Sequence, residues 1–301
     1  MKILIIGSAG FIGKHCFHYL KEIGYEIFGA DIIPVSSIPC QFLLDKDNTN
    51  FSKIFINNSY DICINASGAA SVPFSLENPM LDFDLNTINV FKILEAIRIY
   101  NPNCFFINFS SAAIYGNPEK LPVAETMKAE PMSPYGVHKH FAEQICKEYS
   151  LYFNIKSCNL RLFSAYGPGL KKQFFWDLLN KFKNDQIIEL YGTGKESRDF
   201  IYVEDIAKCL NLVIQNRYSL PGILNVASGI QTTILEAAKI FSKLLNNTKQ
   251  INFGGQCRIG DPINWQADIQ ILKEIGFEPS FNLEQGLYQY ILWLKSENKI
   301  E

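Results

Sequence analysis

The chain predicts an α/β fold built on a doubly wound parallel sheet. Three features carry that expectation. The first half alternates short apolar runs with amphipathic stretches, the runs are apolar on both faces, and a glycine-rich turn joins the first run to the first amphipathic stretch. Strands buried on both faces suit a parallel sheet covered by helices. Repeated β-α alternation suits a doubly wound one. With 301 residues the chain can hold one large or two modest domains around a buried core.

In order, KILIIG, EIFGAD, DICINAS, CFFINFSS and KSCNLRLF read as strands, each ending in or near Gly, Asp or Ser. Helical patterns lie between them: FIGKHCFHYLKEIG, residues 82–100 (DFDLNTINVFKILEAIRIY) and residues 133–153 (SPYGVHKHFAEQICKEYSLYF). After about residue 166 the alternation weakens. YGPG and YGTGKESRD are loop chemistry flanking a helix near Phe174–Phe182, and FIYVEDIAKCLNLVIQN reads as a strand and helix returning to the main sheet. The remainder, with turns at FGGQCRIGDP and IGFEPS, reads as a smaller lobe. Residues 1–166 plus about 201–226 are thus expected to form the sheet domain. Residues of about 167–200 and 227–301 form an interleaved C-terminal α/β lobe.

The 28 Lys+Arg nearly balance the 30 Asp+Glu, so no broad field would hold a nucleic acid or a membrane surface. Met1-Lys2 runs at once into ILIIG, unlike a signal peptide, and no apolar run approaches the roughly 18 residues of a membrane span. Eight cysteines are scattered without C-x-x-C, and Cys63, Cys104 and Cys158 sit in strand-like runs. Reduced, buried thiols in a cytoplasmic protein are expected. The four histidines, His15, His18, His138 and His140, form no HExxH, so no metal site is expected.

GSAGFIG places Gly7, Gly10 and Gly13 between the first strand and a helix opening near Phe11. Glycines there permit a tight turn and close approach of a pyrophosphate, and the helix N-terminus offers free N–H groups. This is a Rossmann-type dinucleotide loop. Asp31 ends EIFGAD about 20 residues further on, where a carboxylate accepts from a ribose 2′-OH and repels a 2′-phosphate. No Arg or Lys lies between Gly24 and Asp45, which favours NAD over NADP. The alternative is that Asp31 only caps the following turn. Asp45, after QFLL, stands near the adenine or is simply a strand-end turn residue.

Tyr-x-x-x-Lys occurs three times, as Tyr135/Lys139, Tyr152/Lys156 and Tyr191/Lys195. Ser133-Pro134 is a good N-cap and first-turn pair, which puts Tyr135 and Lys139 one turn apart on one helix face. Tyr152/Lys156 straddles a helix end, and Tyr191/Lys195 flanks Gly192 and Gly194. Only the first pair also has a serine, Ser111, at a preceding strand end. Tyr135 is the candidate base for a carbinol proton and Ser111 the group that orients the hydroxyl. A phenol with a reference pKa of roughly 10 needs lowering. The Lys139 ammonium and a nicotinamide's positive charge both favour the phenolate.

GSAGFIG, SVPFSLENP, SSAAIYG, SPYGVHK, LRLFSAYGPG, ESRDFIYVEDIA and RIGDP occur in that order. Over nearly its whole length the chain resembles the extended short-chain dehydrogenase/reductases that act on nucleotide sugars. It is most similar to the UDP-glucose/UDP-N-acetylglucosamine 4-epimerase group. The resemblance implies Ser111, Tyr135 and Lys139 as catalytic triad. Around NAD it implies Gly7, Gly10, Phe11, Ile12, Gly13, Asp31, Asp45, the Ala66-Ser67-Gly68 turn and Phe163. It implies Arg198 and Arg258 for the nucleotide diphosphate, Gln173 and Ser164 near the sugar nucleotide, and a homodimer built from the helices of 82–100 and 133–153. Ser164 stands where many relatives carry Asn.

Ala112 and Ala113 follow Ser111, where 4,6-dehydratases of this family carry an acid pair and decarboxylating relatives a Glu. The resemblance therefore implies epimerisation of a UDP- or GDP-linked sugar, at C4 through a transient 4-keto sugar, in sugar-nucleotide or surface-polysaccharide synthesis. An NAD-linked 4-dehydrogenase or 4-keto reductase stands as the alternative. A non-catalytic NAD-binding protein is a third reading, disfavoured because Ser111, Tyr135 and Lys139 are all kept.

Overall fold

The computed structural model describes residues 1–38, 41–46, 49–256, 258 and 260–300. The first unit is β1 (Lys2–Ile6), α1 (Phe11–Glu22) and β2 (Glu26–Asp31). There follow β3 (Gln41–Leu43), α2 (Ser52–Phe55), β4 (Ile62–Asn65), α3 (Val72–Glu77), α4 (Pro79–Phe83), α5 (Asn89–Tyr100), β5 (Phe105–Ser111), α6 (Pro134–Phe153) and β6 (Ser157–Leu162). The second half holds β7 (Ser164–Tyr166), α7 (Gln173–Asn184), β8 (Ile188–Leu190), β9 (Ser197–Tyr202), α8 (Val203–Asn216) and β10 (Ile223–Val226). It closes with β11 (Gln231–Thr233), α9 (Ile234–Leu244), β12 (Ile251–Phe253), α10 (Gln270–Glu274) and α11 (Leu283–Ser296).

The main sheet runs β10-β6-β5-β4-β1-β2-β3, with every neighbouring pair parallel. Chain order reverses beside β1, so the carboxyl ends of β1 and β4 flank a crevice at the topological switch point. The continuous apolar strands follow from burial on both faces. Ile3, Ile5, Ile62 and Ile64 pack with Phe17 and Leu20 of α1 on one side. Leu4, Ile6, Cys63 and Phe106 pack with Ile93, Leu94 and Ile97 of α5 on the other. One polar row crosses this apolar sheet. Asn65 donates to Asn108 at 3.1 Å and Asn108 to Asn159 at 3.0 Å, each pair in register on neighbouring strands. Carboxamides satisfied in sequence can be buried without an orphaned group.

The smaller lobe has a three-stranded sheet β11-β9-β7, a two-stranded sheet β12-β8, and its own core around Phe175, Leu178, Phe241, Leu287 and Tyr290. Two expectations are corrected. The strand in FIYVEDIAKC belongs to β9, which pairs with β7 and β11; the segment that rejoins the main sheet is β10, beside β6. Residues 82–100 are not one regular helix. A π-helical turn over Asp84–Ile88 separates α4 from α5 and leaves Asn86 and Thr87 buried. Such turns are common at functional sites.

Cys16, Cys63, Cys104, Cys146, Cys158 and Cys209 are unpaired and buried. Among the described residues, no helix is long and apolar enough to cross a membrane.

Candidate active site

The glycine turn is shaped by close backbone approach. Gly7 has φ +84°, and a Cβ there would lie 2.6 Å from the Ala66 carbonyl carbon. A Cβ on Gly13 would collide with the Gly7 carbonyl oxygen. Both sites need glycine because only backbone surrounds them. Gly10 is the N-cap of α1 and supplies no side-chain cap, so the helix start keeps donors for an anion. Phe11 and Ile12 open that helix. The Asp31 carboxylate clasps the turn: Oδ2 accepts from Ala9 N at 2.8 Å and Oδ1 from Ile33 N at 3.1 Å. Asp31 therefore caps the next turn and braces the glycine loop at once. Each oxygen keeps a second lone pair for a ribose hydroxyl. Asp45 follows β3 and is exposed, its carbonyl accepting from Thr49 Oγ1 at 3.2 Å.

The Ala66–Gly68 turn leaves β4 against the same loop. Ala66 N donates to Ile6 O at 2.8 Å, and Ser67 donates to Asn65 Oδ1 from both N and Oγ. Gly68 lies against Asn86 Oδ1. Neither polar atom of the buried Asn86 side chain has a hydrogen-bond partner within the protein. A buried carboxamide left open in this way, beside a glycine cradle, fits a bound dinucleotide supplying the missing partners. Sequence reasoning missed Asn86, since its inward direction depends on the π turn. Asp82, Asp84, Thr87 and Asn89 around it are polar too, so the local sequence did not single it out.

Ser111 ends β5, and its Oγ accepts from Ala113 N at 3.1 Å and pairs with the Tyr135 hydroxyl. Ser133 caps α6 by accepting from Gly136 N at 3.2 Å, with Pro134 at the first helical position. Gly136 lets α6 press onto the turn after Ser111: a Cβ there would come within 2.6 Å of Ala113 O. Lys139 lies one turn on, its Nζ 2.9 Å from Phe109 O and 6.0 Å from the Tyr135 ring centroid. All three groups are buried.

The electrostatics correct one expectation. Burial pushes the Tyr135 phenol up to about 12; the Ser111 hydrogen bond opposes this and the Asp82 carboxylate adds to it. Burial draws Lys139 down to about 8, against the pull of Asp82 and Glu143. The chain alone thus holds a neutral phenol, because desolvation is the largest influence on it. One turn beyond Lys139, the buried Glu143 takes Arg161 through two bonds, Nε–Oε1 at 3.0 Å and Nη2–Oε2 at 2.7 Å, and accepts from Ser110 at 2.7 Å. This network ties α6 to β5 and β6. Tyr115 serves it too, its ring under the Arg161 guanidinium at 4.7 Å and its hydroxyl donating to Asn225 at 2.7 Å.

The lobe closes over this floor. Phe163, just after β6, packs edge-on to Trp265 at 5.9 Å, and Trp265 Nε1 donates to Gly116 O at 3.0 Å. Gly260 fits against Val72 and Ser133, so the loop bearing Arg258 reaches the N-cap of α6. Arg258 is exposed, 4.7 Å over the Tyr191 ring. Arg198 stands 5.7 Å over Trp265 and donates to Ser197 O at 2.9 Å. Ser164 begins β7, half-buried. Gln173 opens α7 with φ +67°, exposed. Of the two other Tyr-x-x-x-Lys pairs, Tyr152 sits near the end of α6 with Lys156 beyond it, and Tyr191 and Lys195 lie in the loop after β8. Neither faces Ser111 as a helical pair.

The sequence model of the family described as "NAD dependent epimerase/dehydratase family" matches residues 3–227. A UDP-N-acetylglucosamine 4-epimerase from Methanobrevibacter ruminantium, solved with UDP-N-acetylmuramic acid, is 26% identical; 98% of each chain is covered and the TM-score is 0.87. A UDP-glucuronic acid 4-epimerase from Bacillus cereus, solved with UDP-glucuronic acid and NAD, is 26% identical over 99% of this chain and 100% of that one, with a TM-score of 0.89. A UDP-glucose 4-epimerase from Thermotoga maritima, solved with UDP-glucose, has the same identity and coverage and a TM-score of 0.88.

Proposed function

The chain belongs to the NAD-dependent epimerase/dehydratase family, and from that premise we propose that it epimerises a nucleotide-linked sugar at C4. The observation that carries this reading is the convergence of Ser111, Tyr135 and Lys139 in one buried floor, with Ala112 and Ala113 beside Ser111. Those alanines offer no acid to expel a neighbouring hydroxyl, so the site is left with hydride chemistry at a carbinol. NAD, when bound, would supply a hydride acceptor and donor for the C4 carbon of the sugar. Ser111 holds the C4 oxygen, and Tyr135 takes its proton and gives it back. Lys139 supplies the nearby positive charge and a donor. Gly7, Gly10, Phe11, Ile12, Gly13, Asp31, Asp45, Ala66–Gly68, Phe163 and Asn86 would hold the cofactor. Arg198, Arg258, Gln173 and Ser164 would hold the sugar nucleotide, for which UDP is favoured by the UDP ligands of the three similar structures.

Domain roles follow: residues 1–166 with about 201–226 bind NAD, and the remainder forms the sugar-nucleotide lobe, with β7 and β9 at the join. Phe91 of α5 and Phe141, Leu151 and Tyr152 of α6 are exposed, and this apolar helical face supports a homodimer. The six cysteines among the described residues, unpaired and buried, suit a reducing cytoplasm.

The test is incubation of the purified protein with UDP-glucose, UDP-N-acetylglucosamine, UDP-glucuronic acid and GDP-mannose, without added coenzyme. C4 epimers are expected. Accumulating NADH or a stable keto sugar would establish net oxidation instead, and no turnover with bound NAD would favour a binding role.

A further inference from the structure

The geometry points to Asp82, held by His138, as a positioning residue for the Tyr135/Lys139 pair, its buried carboxylate setting the pH at which the pair works. Two carboxylates stand near Lys139, and they differ in kind. Glu143 is matched: Arg161 takes both its oxygens and Ser110 adds a donor. Asp82, on α4, is fully buried. Its Oδ2 shares a 2.6 Å hydrogen bond with His138 Nδ1, and its Oδ1 has no hydrogen-bond partner within the protein. No arginine or lysine neutralises it by a salt bridge among the described residues.

The pair is built into the active-site frame. His138 lies on α6 between Tyr135 and Lys139 in sequence, and its carbonyl accepts from Thr87 Oγ1 at 2.9 Å. The Phe83 ring packs edge-on to the imidazole at 5.2 Å. The titratable groups facing Asp82 from α6 are Tyr135, His138 and Lys139; Asp84 beside it and Glu77 on α3 are exposed. A fixed negative charge in this position opposes a phenolate on Tyr135 and supports an ammonium on Lys139. Both directions are present, with Asp82 raising each group. Asp82 therefore adds to the burial that keeps the base neutral, and a positive charge entering the site would oppose both. It rests on Tyr135 being the base, as proposed above.

The decisive measurement uses NAD-saturated protein with no sugar nucleotide, so failure of the epimerase reading leaves it intact. Phenolate formation is followed by ultraviolet difference titration, for wild type and Asp82→Asn, each against its own Tyr135→Phe background. The Asp82→Asn midpoint is expected about one pH unit lower. A midpoint that coincides with wild type, or rises, overturns the inference. If Asp82→Asn folds poorly, Asp82→Ser must show the same downward shift, and an unshifted midpoint there overturns it equally. A purely structural role would change the melting temperature without moving the Tyr135 midpoint.

Discussion

Replacing Glu143 with Gln leaves Arg161 charged, 3% exposed and without its anion. The wild-type pair makes two nitrogen–oxygen bonds at 3.0 and 2.7 Å and takes a third from Ser110 at 2.7 Å. Gln keeps one acceptor oxygen and turns an amide donor toward a guanidinium that can only donate. Breaking one side of a buried ion pair costs about 3–5 kcal/mol. At about 2 °C per kcal/mol for a chain of this size, the melting temperature should fall by about 6–10 °C. Scanning fluorimetry at pH 7 reads this directly. The cause is checked with Glu143→Gln/Arg161→Met, which removes the stranded charge at similar volume and should recover more than half of the loss. A loss under about 1 kcal/mol, or a double variant no better than the single, would refute the account of α6 as pinned by a desolvated ion pair.

Tyr135→Phe should abolish turnover while retaining NAD; surviving activity, or loss on changing Tyr152 or Tyr191 instead, would move the base elsewhere. Lys139→Met should raise the melting temperature near neutral pH, because the native state disfavours the ammonium. Its folded pKa of about 8 lies below the ordinary lysine value of 10.5, so the unfolded chain binds more protons between those values. Wild-type stability should therefore gain on Lys139→Met as pH rises from about 8 to 10.5, and a constant gap would contradict the buried ammonium. Gly13→Ala should lose NAD binding in a calorimetric titration, since its Cβ would meet the Gly7 carbonyl and only backbone could yield.

Much of the main sheet was legible because its strands are short, apolar on both faces and separated by amphipathic helices. That pattern has one economical solution, and the glycine turn marks where it starts. Tyr135 was separable from Tyr152 and Tyr191 because Ser133-Pro134 is a local cap and needs no tertiary information. The strand near Phe200–Tyr202 was misplaced for the opposite reason. Its partners, β7 and β11, are remote in sequence, and an apolar run carries no record of which edge it joins. The π turn at Asp84–Ile88 was equally hidden, since a single widened turn leaves helical periodicity nearly intact.

The order of residues was enough to read the sheet type, the glycine turn after the first strand, Tyr135 and Lys139 one turn apart behind a Ser-Pro cap, and the absence of an acid at Ala112 and Ala113. These depend on local spacing, capping and residue chemistry. The electrostatics of Ser111, Tyr135 and Lys139 came from packing in three dimensions. Burial, not the neighbouring lysine, governs Tyr135 in the chain alone. The charges that modulate it, Asp82 held by His138 and Glu143 neutralised by Arg161, reach the site from different elements. A pKa reports desolvation and distance in three dimensions, and neither quantity is written in the order of residues.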